Sequence, residues 1–202
     1  LKVGHAGTLD PLATGVMILC TGKHTKRIDE LQAGRKEYIA DIRLGQTTPT
    51  FDMETAPDAF FPTEHITREA VEEALKGFIG TIEQVPPAFS AVKVDGRRAY
   101  DLARKGRDFE LKAKTLVIDE IELLDYALPQ IQIRVVCSKG TYIRALARDI
   151  GTALSSGGHL TDLRRTRVGD YRIEDCYRVE DIQAFLREYV ALPTEETEPS
   201  NP

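Results

Sequence analysis

Asp10 is the one acid in a loop otherwise built of small, stiff or apolar residues, running Gly4, His5, Ala6, Gly7, Thr8, Leu9 before it and Pro11, Leu12, Ala13, Thr14, Gly15 after it. Glycine serves where a backbone must bend sharply or let a ligand come close. Pro11 disfavours the helical region for Asp10 and holds it extended. The loop therefore presents one carboxylate rigidly before an apolar run from Val16 to Cys20, read as a buried strand or short helix. Such a carboxylate suits attack at carbon, charge stabilisation or proton removal. On spacing alone the plainer reading, a Gly/Pro-rich turn whose Asp caps a helix, is the stronger one.

Four further stretches carry residue types able to act on a ligand. Tyr38 follows Lys36-Glu37 at the start of an alternating segment, where a tyrosine commonly packs its ring in the core. Cys137-Ser138-Lys139-Gly140-Thr141-Tyr142-Ile143-Arg144 delivers a strand through a glycine turn to a helix N-terminus, a setting that welcomes anions. Arg144 falls outside the apolar stripe of that helix, so by position it reads as solvated. Lys93, in Ser90-Ala91-Val92-Lys93, reads as an exposed strand lysine, and Leu163, in Leu160-Thr161-Asp162-Leu163-Arg164-Arg165-Thr166, as core. His5, a lone histidine beside glycines, has the pKa range for acid or base work near neutral pH.

The loop pattern Gly4-His5-x-Gly7-x-Leu9-Asp10-Pro11-Leu12-Ala13-Thr14-Gly15 closely resembles the signature of the TruB family of tRNA pseudouridine synthases. Lys36-Glu37-Tyr38, Ser90 to Lys93 with Gly96, Cys137 to Arg144 and Leu160 to Thr166 resemble its further motifs, so the likeness runs from Val3 to Val179. The resemblance implies isomerisation of the T-loop uridine of tRNA (position 55): the C1′–N1 bond breaks, the base turns, and C5 becomes the attachment point. It implies that Asp10 is catalytic, that Arg144 pairs with it and aims it, and that Tyr38 stacks on the base and stands near the proton transfer. Tyr142 and Leu163 would line the uridine pocket. Lys93, Lys139, Arg164 and Arg165 would meet RNA, and His5 would contact it and assist extrusion of the base. No cofactor or metal is implied. The implied partner is tRNA through its T-arm, without a membrane or an obligate protein partner, and the expected state is a cytoplasmic monomer. Attack at C1′, addition to the ring and removal of a ribose proton all remain open to the carboxylate.

The chain departs from the family pattern at Pro49, where an extra acid is usual, while Asp52 keeps the second acid of that stretch. The family's N-terminal Lys-Pro segment and most or all of its C-terminal PUA domain are missing, and the chain opens at Leu1 inside a motif; a fragment is expected. Two other classes stay open: a non-catalytic RNA-binding module of the same fold, and a nucleotide-binding enzyme using the glycine loop. The latter lacks the Gly-Lys-Ser/Thr ending of a P-loop.

The elements that must position these residues follow from periodicity. Lys36 to Leu44 alternates, with Tyr38, Ala40, Ile42 and Leu44 on one side, and Ile131 to Ser138 alternates likewise. Ile143, Leu146, Ala147, Ile150 and Leu154 recur at helical spacing. Thr67 is an N-cap for a helix expected to end near Gly80. Gly45 to Pro62 reads as a long loop, Arg98 to Lys105 as a short basic helix, and Phe109 to Tyr126 as one or two strands. Val179 to Tyr189 reads as a helix with Val179, Ile182, Phe185 and Leu186 inward. With no repeat and no second core, the class is α+β: a mixed, largely antiparallel sheet flanked by helices, the pseudouridine synthase fold, over residues 1–191, with a disordered acidic tail over 192–202.

With 202 residues, 42% of them hydrophobic, the chain supports one sizeable core, and no apolar run approaches membrane-spanning length. Three scattered cysteines, Cys20, Cys137 and Cys176, argue against a disulfide framework. A net charge of -5 is awkward for a nucleic-acid binder, so distribution has to decide. Basic residues gather at Lys23–Arg27, Lys93–Arg107 and Arg164–Arg172, acids at Asp52–Glu54, Asp119–Asp125 and Glu195–Glu198.

Overall fold

The structure, a computed structural model, describes residues 1–90, 92–94, 96–106 and 109–189. The expected tail over 192–202 lies outside the described residues. Three short strands open the chain, β1 (Val3–His5), β2 (Ala13–Gly15) and β3 (Leu19–Thr21), and α1 (Ile28–Ala33) leads into β4 (Lys36–Leu44). A small hairpin, β5 (Gln46–Thr47) and β6 (Ala59–Phe60), interrupts the stretch read as a loop. Then come α2 (Arg68–Lys76), β7 (Gly80–Gln84), a second small hairpin of β8 (Lys93–Val94) and β9 (Arg97–Arg98), and α3 (Ala99–Ala103). The second half supplies β10 (Lys114–Ala127), β11 (Gln130–Cys137), α4 (Ile143–Ala153), β12 (Gly158–Val168), β13 (Tyr171–Arg172) and α5 (Ile182–Tyr189).

The main sheet runs β13-β12-β4-β11-β10-β7, every neighbouring pair antiparallel, and β2 joins the side of β12 in parallel. β4 lies at its centre and follows the alternation expected of it, with Tyr38, Ala40, Ile42 and Leu44 buried. Ile131, Ile133, Val135 and Cys137 of β11 continue the same apolar face. Ile143, Leu146, Ala147 and Ile150 of α4 cover it together with Val71 and Leu75 of α2. Among the described residues no helix of this layer covers the other face of the sheet, which is charged and bordered by Ile173 and Glu174. There Arg134 pairs with Glu37, Glu120 and Glu122.

Several boundaries differ from expectation for local reasons. Thr67 does cap α2, accepting from the Ala70 amide at 3.1 Å, but the helix stops at Lys76 and Gly80 starts a strand instead. The run Val16 to Cys20 is no continuous buried element: Val16 and Cys20 are buried, Met17 and Leu19 are exposed. Phe109 to Tyr126 yields one long strand. Leu160 to Val168, with its run of arginines, is the strand next to the centre. A bulge between Leu160 and Asp162 shifts its alternation, so Leu163 and Arg165 both face the apolar side and Arg164 faces away. At the C-terminus, Val179 is 83% exposed and Leu186 46%, so the apolar stripe predicted there is not turned inward.

Close backbone contact fixes how α4 lies on β12. A Cβ on Gly151 would sit 2.3 Å from the Gly158 nitrogen, which only glycine avoids. Just beyond, His159 is fully buried, with Nδ1 3.3 Å from the Gln46 carbonyl. Burial holds its pKa below the ordinary 6.5. The unfolded chain takes up a proton there that the folded ring resists, so stability is complete above about pH 6.5 and is lost as pH falls below it. Thermal melting between about pH 7.5 and 5.5 should therefore show a falling Tm, with a shallower fall in His159→Gln.

Candidate active site

The loop carrying Asp10 is held from behind by an arginine that sequence placed on the surface. Arg165 of β12 is 2% exposed, and its guanidinium donates to three loop carbonyls: Val16 at 2.9 Å, Gly7 at 3.1 Å and Thr8 at 3.4 Å. Its own carbonyl accepts from the Val16 amide at 2.8 Å. Gly15 has to be glycine for this seam to close. Its φ is 102°, and a Cβ would fall 2.2 Å from the Arg165 carbonyl oxygen. Arg165, expected to meet RNA, thus puts three of its five N–H donors on the backbone that shapes the loop. The same expectation for Arg164 is corrected: strand alternation puts it on the opposite face, beside Asp41, Asp162 and Glu174.

Arg144, in the first turn of α4, is 5% exposed rather than solvated. Its Nε donates to Asp10 Oδ2 and its terminal nitrogen to Asp10 Oδ1, both at 3.0 Å, a bidentate pair. The other terminal nitrogen donates to the carbonyls of Phe89 at 3.1 Å and Thr50 at 3.2 Å. A second carboxylate, Asp52, lies 3.7 Å from Nε and is 2% exposed. The arginine is thus satisfied on every side, while Asp10 remains 28% exposed toward solvent. Tyr142, at the N-cap of α4, has no capping side chain of its own. The buried Gln84 supplies one, accepting from the Tyr142 amide at 2.9 Å and donating to its carbonyl at 3.2 Å.

These groups border one cleft of about 270 Å³, room for a single nucleotide rather than a stacked run. The structure brings Asp10, Tyr38, Lys139, Tyr142, Arg144, Leu163 and Arg165 together along it. Tyr38 comes from β4, directly opposite Arg165 in register. Burial pushes its phenol up to about 12, with the Arg165 charge pulling the other way, so it carries its proton at neutral pH and is no ready base. His5 is exposed on β1, outside the lining. Lys93 falls on β8, and its side chain lies outside the described residues. No cluster of metal-ligating side chains occurs among the described residues, and no helix among them is long and apolar enough to cross a membrane.

Sequence reasoning missed three contributors. Asp52 was noted only as a remaining acid, Gln84 not at all, and Lys36 only as a neighbour of Tyr38. For Lys36 the signal existed: it shares the inward parity of Tyr38 and Ala40.

Comparison with known proteins agrees with this geometry. A family model described as TruB family pseudouridylate synthase (N terminal domain) matches residues 1–143, and one described as tRNA pseudouridylate synthase B C-terminal domain matches residues 144–196. The junction between the two falls inside the cleft, at the first turn of α4. A protein of Phocaeicola vulgatus named tRNA pseudouridine synthase B is 74% identical over 92% of this chain and 79% of its own length. Its namesake in Parabacteroides distasonis is 66% identical over 97% of this chain and 83% of its own. Among solved structures, a Cbf5-Nop10-Gar1 complex contains a chain superposing with a TM-score of 0.70 at 30% identity, covering 93% of this chain and 48% of that one.

The two arginines of β12 should respond oppositely to substitution. Arg165→Met should lower stability by about 2–4 kcal/mol, since three loop carbonyls lose charged donors. Arg164→Met should stay within about 0.5 kcal/mol of wild type. Urea unfolding of both variants measures the difference.

Proposed function

The chain belongs to the TruB family of pseudouridylate synthases, and on that premise we propose that it converts the T-loop uridine of tRNA, position 55, into pseudouridine. The observation that carries the reading is the bidentate Arg144–Asp10 pair at the edge of a one-nucleotide cleft. A base inside a folded RNA loop has to be extruded before such a cleft can take it, at a cost of about a few kcal/mol. Tyr38 offers an aromatic surface to replace the lost stacking, and Tyr142 and Leu163 bound the space around the ring. Asp10 then faces the sugar. As the C1′–N1 bond weakens, positive charge develops at the anomeric carbon, and a fixed carboxylate stabilises it as glycosidase carboxylates do.

Arg144 acts through Asp10. It occupies one side of each carboxylate oxygen and leaves the other side free for the substrate. Because bonds are exchanged without net oxidation or hydrolysis, the reaction calls for no cofactor. Lys139, exposed at the mouth of the cleft, is placed for the RNA backbone, and recognition rests on the shape of the T-arm. The protein would work in the cytoplasm as a monomer with tRNA as its partner.

Tritium release from a tRNA transcript labelled at uridine C5 reports the isomerisation directly, because C5 loses its hydrogen only when it becomes the attachment point. Wild type should release tritium, and should not when the T-loop uridine is replaced. Asp10→Asn should cut release by about 10³-fold or more while tRNA affinity and melting temperature stay near wild type. Equal loss of binding or folding in that variant would sink the catalytic assignment, and binding without release by wild type would point to a non-catalytic RNA-binding module.

A further inference from the structure

Lys36 and Arg165 are the cations of the cleft that are buried and without a counterion among the described residues, and of the two Lys36 is the one whose charge can titrate. Lys36 is 5% exposed, at the first inward position of β4, and it lines the cleft beside Tyr38. Its ammonium donates to the carbonyls of Gln32 and of Gly34, the latter at 2.7 Å. An ammonium has three N–H donors, so one is left over. The charged and titratable groups that face it offer no compensation. Arg165 comes from β12 and Lys139 from the turn before α4, both positive, and Cys137 comes from β11 with its thiol pushed up to about 11 by burial. The acid of the cleft, Asp10, is engaged by Arg144.

Burying an ammonium among cations is costly. Two of its donors repay part of that cost at the carbonyls that end α1, and the third, with no partner among the described residues, is the one available to something that enters the cleft. The other two buried cations are anchored: Arg144 holds Asp10 and two carbonyls, and Arg165 holds three loop carbonyls through all three of its nitrogens.

The reaction proposed above generates the missing anion, and the present inference rests on that reading. When C1′–N1 breaks, its electron pair leaves with the ring, spreading negative charge over N1 and the two carbonyl oxygens. The ring must stay in the cleft, turn, and use the C5 electron pair to bond C1′. The C5 hydrogen then departs as a proton to solvent, and N1 takes a proton up, so no electrons are gained or lost overall.

We propose that Lys36 is a further catalytic residue, whose free N–H stabilises the detached uracil as an anion and holds it in place while it turns. Asp10 serves the positive fragment and Lys36 the negative one. Burial, aided by the neighbouring Arg165 charge, lowers the Lys36 ammonium to about 8, so its contribution is present below that pH and lost above it.

Single-turnover tritium release from C5-labelled T-arm RNA, followed from about pH 6.5 to 9.5 in wild type, Lys36→Met and Lys36→Arg, tests this. Wild-type kcat/KM should fall above about pH 8. Lys36→Met should bind the RNA within about threefold of wild type, react about 100-fold more slowly, and show no fall near pH 8. Lys36→Arg, still charged but unable to titrate in this range, should recover part of the rate with a flat profile. A Lys36→Met rate within threefold of wild type, or a slow variant that keeps the fall near pH 8, would overturn the proposal. So would a wild-type profile flat to pH 9.5, which decides the matter even if the variants fail to fold. Absence of release by wild type at every pH would instead remove the isomerase reading, and this inference with it.

Discussion

A guanidinium sunk into the protein interior has to be answered on every side, and the Arg144 charge organises this molecule through that demand. Its partners come from distant parts of the chain: Asp10 from the loop after β1, Thr50 and Asp52 from between β5 and β6, and Phe89 from the segment after β7. One side chain thus ties three excursions to the start of α4. The two acids outnumber the arginine, so the group carries a net negative charge. Asp52 lies wholly inside, and Asp10 is the member open to solvent. Removing Arg144 itself would cost about 3–5 kcal/mol, because the fully buried Asp52 would be left unanswered. The position of the reactive carboxylate is therefore set by the same interactions that make the fold stable.

Arg165 does for the backbone what Arg144 does for the carboxylate. With both in place, the loop from Gly7 to Val16 is fixed from its inner side, and its outer side is left to the ligand. Such a loop need not reorganise when charge develops in front of it, which is the condition for electrostatic stabilisation to be effective. The closeness of β2 to β12 at Gly15 and the stacking of α4 on β12 at Gly151 are the places where a single added methyl group would force this arrangement apart.

Much of this was legible beforehand. The alternation of β4 and β11, the stripe of α4 and the Thr67 cap are local signals, and each element forms where its pattern says. The loop around Asp10 and the turn before Arg144 were legible through family likeness, and the structure brings the two ends together as that likeness implied. β12 was hidden because bulges break its period of two and because one inward position holds an arginine, which pattern reading assigns to solvent. Asp52 could not be recognised from its neighbours, since its meaning depends on Arg144, far along the chain. The stripe on α5 shows the opposite failure: Phe185 packs against Tyr177, while Val179 and Leu186 stay exposed. Periodicity reports which residues could be buried, while burial itself depends on what the topology brings alongside.

The charged face of the sheet gives the acidic balance of the chain a directional meaning. Glu37, Asp41, Glu120, Glu122 and Asp162 stand on that side with Arg43, Arg134, Arg164 and Arg167, a slight excess of acids, whereas the cleft brings Lys36, Lys139, Arg144 and Arg165 close to Asp10 and Asp52, an excess of cations. The sheet therefore separates charge across its thickness, like the plates of a capacitor. An anion at the mouth of the cleft therefore meets mostly cations, and one at the other face of the sheet meets mostly acids. A net charge of -5 is thus compatible with a locally cationic cleft, and added salt shortens the reach of both patches alike.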